Sequence, residues 1–560
     1  MAKWTDFLNL FKWDTNNSED LDSNFDVDKA LNDNWSKIDN KMKEINDGKV
    51  DKVTGKVLSS NDYTTAEKTK LAGLNNYNDT QVKNDIATNK SNITKNSSDI
   101  TTLKSNVTDI NAKIDNIQSL RGHVYGVRRK ISSNSSNQWE RTDDAVGLVA
   151  NAQKGTSAVR NDFDNLAPWS EIKTCNYDVT NKKIVAFIGD PNFKFDGSNG
   201  DVYTQIPDFW YKIWQDNDYD YIQIADYARA GFTKSDKFLE ARYHMGLVDG
   251  VLHSYSGLTP ANLKTIGQFR TLARALGNEF CLLDYRHFII NILFLVEYAT
   301  YHSQSALGNG MVSMRYNNGD VALIAESNTN RFVVNTSAGN SFYVGQKISI
   351  GTSSNGNYGV ATDRKITAIN DYSEGSVTGK EIVFDGTPVN IALTNVIWSS
   401  PQAAGSCDSL GMKSGCLVND SKHGVIYRGI ENIFGNVWAW VDGINIKDYQ
   451  AYLCKDPAQY VSDKFEAPYK KLGYLDVNAN GWSKTLGFDP DEPLVRFPKE
   501  IGAADSTYQC DYHWTAAGIR VARVGGYLVN GTYCGLWCWF LNGASSNSYW
   551  YLGCRVLINQ

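Results

Sequence analysis

Along the first 120 residues apolar positions are sparse and regularly spaced; beyond them they crowd into short runs. Ile86, Ile93, Ile100, Val107 and Ile114 recur at every seventh residue, with Asn89, Asn96, Leu103, Ile110 and Ile117 in the complementary places. Apolar residues at a and d of a heptad predict a parallel coiled coil, and isoleucine-rich a positions lean away from dimers towards a trimer. The two asparagines at d fix register at a cost in stability. At 1.5 Å per residue the rod would run for roughly 50 Å. Upstream, Val27, Leu31, Trp35, Ile38, Met42 and Ile45 recur at three- and four-residue steps, the mark of one amphipathic helix.

The body reads differently. Thr265 to Gly277 has a helical period and a glycine stop, and Tyr285 to about Thr300 is apolar nearly all round, which predicts a deeply buried helix. Its most apolar stretch, Phe288 to Val296, is far shorter than the roughly 20 residues a membrane crossing needs, so no membrane insertion is expected. Between 330 and 400, alternating runs such as Lys347-Ile-Ser-Ile and Glu381-Ile-Val-Phe are set apart by Gly, Ser and Asn. That spacing predicts a small inserted β-domain.

Composition narrows the partners. The chain has 560 residues, too many for one core, and a net charge of -6 without any basic block, so nucleic acid is not an expected ligand. Nine cysteines are scattered with no CxxC pair, and the N-terminus lacks the basic-then-apolar order of a signal peptide. Both features fit a protein made in a cytosol with its thiols reduced.

Several stretches carry resemblances. Asp51 to Leu74 resembles a short module common in phage tail fibres, and Phe25 to Asp39 is similar to the start of fibre proteins that dock on a baseplate. On that resemblance Trp4 to Trp13 would dock on the tail baseplate, the alternative being packing against the first helix. Gly435-Asn-Val-Trp-Ala-Trp440, with Gly518-Ile-Arg-Val-Ala-Arg-Val-Gly-Gly526 and Gly553-Cys-Arg-Val-Leu557, resembles formylglycine-generating-enzyme-like domains. That resemblance implies a C-type-lectin-like fold. The family's enzymes hold copper with two thiols; the first falls here on Asn530 and the second close to Cys534, so one soft ligand remains and oxidase chemistry is not expected. No close-spaced histidine pair, GxSxG, HExxH or Walker-type loop is present, so the expectation is no enzyme, no metal and no cofactor.

The closing stretch 525–555 holds Tyr, Trp, Asn, Ser and Gly, with no charge between Arg523 and Arg555. Paratopes use this mixture, because Tyr and Trp give contact area at low entropy cost while Ser and Asn adapt hydrogen bonds. It resembles the variable region of diversity-generating-retroelement target proteins. The expected ligand surface is Tyr527, Leu528, Asn530, Tyr533, Phe540, Asn542, Asn547, Tyr549 and Tyr551, with Trp537, Trp539, Trp550, Cys534, Cys538, Cys554 and Arg555 as scaffold. The bland alternative makes all these aromatics core.

The expected architecture is therefore multidomain. An N-terminal α-helical stalk with a trimeric parallel coiled coil precedes an α+β C-type-lectin-like head containing an inserted small β-domain. Its segments are docking segment and helix 1–50, fibre module 51–81, coiled coil 82–120, linker and start of head 121–200, head 201–330, insert 331–400 and head 401–560. The expected role is a homotrimeric receptor-binding fibre at a virion tail tip that recognises a host cell-surface protein or glycan. A tail-associated glycan depolymerase is the alternative.

Overall fold

The computed structural model describes residues 3–4, 11–12, 27–47, 64–73, 79–120, 122–137, 139–352 and 359–560. Most of the docking segment and of the fibre module lies outside these residues. Two compact units divide the chain, residues 1–113 and 114–560.

The expected fold class is overturned. The chain is mostly β, with 34 % of it in strands and 20 % helical, and one sheet curls into a half-barrel. Among the described residues no coiled coil is evident. The heptad pattern folds as a single helix, Thr80–Leu120, whose apolar positions stay largely uncovered: Ile86, Ile93, Leu103, Val107 and Ile110 remain 40 % to 69 % exposed. Asn89 and Asn96 are exposed too and Ile100 is half-buried; the side chains of Ile114 and Ile117 lie outside the described ones. A seven-residue period makes a face on a helix; the pattern itself does not supply what covers that face. Thr65–Gly73 is a short helix closed by a capping box, Thr64 N–H donating to Glu67 Oε2 at 2.7 Å and Glu67 N–H to Thr64 Oγ1 at 3.3 Å.

Nor is the second unit a small sheet under two helices. It is built from several sheets with helices packed between. One is five-stranded and antiparallel, in the order Thr233–Ser235, Phe209–Gln215, Tyr219–Ala225, Val124–Lys130, Trp139–Asp143. A six-stranded sheet runs Phe280–Leu282, Val556–Asn559, Phe238–Ala241, Asp201–Ile206, Lys173–Asp178, Lys183–Phe187. The helix His287–Tyr298 buries every residue from His287 to Glu297, as its all-round apolar sequence requires. Ile266–Arg274 is shorter, and Thr265 and Gln268 close a reciprocal capping box on its N-terminus.

Residues 331–399 form a five-stranded sheet of their own around Phe332, Ile348, Ile366, Ile382 and Ile397, all fully buried. The largest sheet supports the site. Its order is Lys470–Leu475, Gln450–Leu453, Trp438–Lys447, Ile519–Val524, Trp539–Gly543, Tyr512–Thr515, Gly481–Leu486, Pro498–Ile501. Leu552–Gly553 pairs in parallel beside Trp438–Ala439.

Candidate functional site: an aromatic shelf on the large sheet

Strand periodicity decides which side chains share a face, because successive residues point to opposite sides. In Tyr512–Thr515 the burial alternates, so His513 and Thr515 point in while Tyr512 and Trp514 face outward, half-buried. In Trp539–Gly543 the same alternation sends Phe540 and Asn542 out and Trp539 and Leu541 in.

Register then aligns the outward residues across strands. Trp440 lies opposite Arg523, Arg523 opposite Phe540, and Phe540 opposite Trp514; next to them Tyr512 lies opposite Trp482. Four aromatic residues from three strands, Trp482, Tyr512, Trp514 and Phe540, become one surface, while Trp440 is fully buried beside Arg523. Trp514 and Phe540 are 5.7 Å apart between ring centroids, Tyr512 and Trp514 4.5 Å, and Trp482 and Tyr512 5.6 Å. Tyr533 closes the group, 4.4 Å from Tyr512 and 5.1 Å from Trp482, and is the most exposed of them at 38 %. Tilted and edge-on contacts of this kind favour aromatic pairs beyond their buried area and hold each ring in place.

A second group adjoins it. Tyr549 stacks on Tyr551 at 5.3 Å with ring planes 17° apart, and Tyr551 meets Tyr527 at 4.6 Å. Trp550, 1 % exposed, lies beneath and touches Tyr316, Tyr527 and Tyr551. Tyr527, Tyr551, Trp514 and Phe540 all pack on one core cluster that includes Trp438 and Trp440, so one buried layer carries both groups. Burial raises the hydroxyl pKa of Tyr527 and Tyr551, keeping them neutral hydrogen-bonding groups at ordinary pH.

The floor is anchored by residues that have no freedom to move. Gly435 and Asn436 both adopt positive φ, +80° and +61°. A Cβ on Gly435 would come within 2.6 Å of the Met311 carbonyl. The Asn436 amide bonds Gln402 in both directions, accepting its N–H at 2.8 Å and donating to its carbonyl at 2.9 Å. This turn launches the strand that places Trp438 and Trp440 under the shelf. Arg555 donates to the carbonyls of Ala241, Arg242, Glu431 and Asn432, and is wholly structural.

Most of the expected surface residues line the shelf, but not all. Tyr527, Tyr533, Phe540, Tyr549 and Tyr551 form the two aromatic groups, and Asn542 is half-buried on the outward face of its strand. Leu528 is a correction: it is fully buried among Met311, Met314, Trp398 and Trp550, because its apolar side chain fills the layer beneath. Asn530 accepts the Tyr527 N–H at 3.1 Å and braces the turn. Asn547 accepts from Arg523 at 2.6 Å. Trp482, Tyr512 and Trp514 lie far upstream of the closing stretch and were not among the expected residues. The alternation of Tyr512, His513 and Trp514 was a visible strand signal; Trp482 had none.

Three acid–base groups near the shelf, Asp511, Cys534 and Cys538, are sealed. Asp511 is buried under it, its Oδ2 accepting the Trp537 N–H at 2.7 Å, and burial pushes its carboxyl well above the usual range. Gly535 leaves it space, since a Cβ there would lie 2.1 Å from Oδ1. Cys534 and Cys538 are buried as well, and burial raises both thiols. Among the described residues no three His, Cys, Asp or Glu side chains converge as metal ligands.

Asp511 carries a pH prediction. Its folded pKa lies above the unfolded carboxylate value of about 3.9. The stability it contributes is therefore complete below that value and is lost as pH rises through the folded pKa. Asp511→Asn keeps the acceptor for Trp537 and removes the titration. Its melting temperature is expected to exceed the parent's at pH 8, with the gap closing towards pH 4; a constant gap across that range would contradict the assignment.

A groove of about 750 Å³ lies elsewhere, lined by residues that include Asp178, Asp196, Asp201, His253 and Tyr255. Hydrogen bonds from Asn181 and Ser198 hold Asp178 and Asp196 below the usual carboxylate range, the opposite of what a proton-donating acid for glycoside cleavage requires. The sequence matches no family model and no curated protein.

Proposed function

We propose that this protein is a receptor-binding protein of a phage tail or tail-like particle, and that the aromatic shelf is its contact surface for a host receptor. The observation that carries the reading is the shelf itself: half-buried Trp, Tyr and Phe side chains, fixed by strand register and mutual ring contacts, present a rigid, nearly uncharged face. Pre-set aromatic rings lose little entropy when a partner covers them, which is why Trp and Tyr dominate binding hot spots. Tyr533 and Tyr549 lie on loops with their side chains exposed, so these residues can vary without disturbing the core. That arrangement suits a diversified surface. The N-terminal segment would attach the protein to the tail.

The test is adsorption. Tyr533→Ala and Tyr549→Ala remove exposed rings, so each is expected to leave the folded protein intact by circular dichroism. Each should weaken binding to cells that the parent protein binds by about tenfold, on the order of 1.4 kcal/mol. Unfolding of both variants, or unchanged adsorption in both, would overturn the proposal.

A further inference from the structure

Most buried arginines among the described residues meet a carboxylate or several carbonyls; Arg129, with one bond to the Ser133 carbonyl, and Arg523, on the shelf, do not. Arg270 meets Asp442 through two bonds at 2.7 and 2.8 Å; Arg428 meets Glu297, Arg496 meets Asp220, and Arg286 meets Asp284. Arg555 satisfies itself on four backbone carbonyls. Arg523 is equally buried, at 1 % exposed, yet its one hydrogen bond is from Nη2 to the Asn547 side-chain oxygen. Its Nε is sealed from water with no partner. A guanidinium carries five donors in a planar fork suited to a carboxylate.

Register explains how the cation is held. Arg523 sits between Trp440 and Phe540 on neighbouring strands, its guanidinium carbon 4.3 Å from one ring centroid and 4.9 Å from the other. Ring faces stabilise a cation without neutralising it. Gly543 makes the space, since a Cβ there would lie 2.2 Å from Nη2. The titratable neighbours that act on Arg523 from the adjoining loop are the neutral hydroxyls of Tyr549 and Tyr551; burial draws its pKa down to about 10, so it stays a cation at neutral pH. Asn547, half-buried on the loop that also bears Tyr549, lies against the fork.

We propose that Arg523 is an anion seat within the shelf, and that it takes a side-chain carboxylate of a protein receptor in place of the Asn547 amide. The inference rests on the shelf being the contact surface and adds the chemistry it selects. The Asn547 oxygen stands where one carboxylate oxygen would sit, and the unused Nε supplies the second bond of a bidentate pair. The seat lies below the ring faces, so the anion must arrive on a flexible arm. A glutamate or aspartate side chain reaches such a recess; a carboxylate fixed directly to a sugar ring brings the ring with it.

Saturation-transfer NMR on the full chain tests this with three probes: N-acetyl-glutamate, N-acetyl-glutamine and glucuronate. N-acetyl-glutamate is expected to bind, with a signal at least several-fold above those of the other two. Asn547→Asp places a carboxylate on Arg523 internally, so it is expected to abolish that signal and raise the melting temperature. Asn547→Ala, which removes the cover and adds no charge, is expected to retain it. Equal binding of N-acetyl-glutamine, an undiminished signal in Asn547→Asp, or an equal loss in Asn547→Ala would overturn the anion seat. Glucuronate binding as well as N-acetyl-glutamate would overturn the side-chain assignment in favour of an acidic sugar. If these probes fail while Tyr533→Ala still loses adsorption, the anion seat falls and the contact surface stands.

Discussion

Glu297→Gln is expected to destabilise the second unit by about 3–5 kcal/mol, the cost of leaving a buried charge without its partner. Glu297 is fully buried at the end of the apolar helix. Oε1 accepts from Asn161 at 2.7 Å and from Arg428 Nη2 at 2.7 Å; Oε2 accepts from the Tyr427 hydroxyl at 2.8 Å and from Arg428 Nε at 3.0 Å. Glutamine supplies one acceptor and turns an NH₂ towards a guanidinium or a hydroxyl donor. Asp164 keeps one bond to Arg428 at 2.8 Å, but it is largely solvated and compensates little. The check is the denaturant midpoint, set beside the double variant Glu297→Leu with Arg428→Met. Removing both charges should cost less than removing one. A double variant less stable than Glu297→Gln would contradict the account.

Trp438→Ala should cost a similar amount, about 3–5 kcal/mol, and should also abolish binding. The ring is 2 % exposed and packs edge-on to Trp514 at 5.6 Å and against Phe540 at 5.4 Å. Removing it opens a void directly under the shelf, so the two outward rings lose their floor. Trp438→Phe keeps most of the volume and is expected to recover most of both stability and adsorption. Denaturation midpoints and cell binding measured on both variants decide the point. Full adsorption by a folded Trp438→Ala would show that the shelf does not need its floor.

Local patterns were legible and long-range pairings were not. The capping residues Thr265 and Gln268, the glycine after the helix and the buried helix around Phe294 could be read because each depends on neighbours within a turn or two. The heptads from Ile86 to Ile117 show the limit of that logic. Their period set a helix, Thr80–Leu120, but no coiled coil is evident among the described residues, since what covers a face is a matter of a second surface. The fold class failed for the same reason. Individual strands were visible as short apolar runs, whereas the joining of nine of them into one sheet is decided by contacts between distant segments.

The site followed that division. Tyr533 and Tyr549 could be found because polar and small residues surround them in the closing stretch. Trp482, Tyr512 and Trp514 join the shelf only through the parallel pairing of Tyr512–Thr515 with Trp539–Gly543 and the antiparallel step to Gly481–Leu486. Leu528 was misplaced because an apolar residue between Tyr527 and Asn530 gives no local sign of which way it points. Arg523 was invisible as a site residue: its strand neighbours suggested only a core strand, and its unusual state comes from Trp440 and Phe540 across the sheet.

Oxidative footprinting of the protein free and bound to cells tests the central claim most directly, because it reads Trp and Tyr exposure one residue at a time. The account predicts that Trp482, Tyr512, Tyr533 and Tyr549 become protected on binding. Trp214 and Tyr221, stacked at 4.6 Å on the separate five-stranded sheet, should keep their reactivity. Protection at Trp214 and Tyr221, with the shelf residues unchanged, would contradict it and move the contact surface to that other sheet.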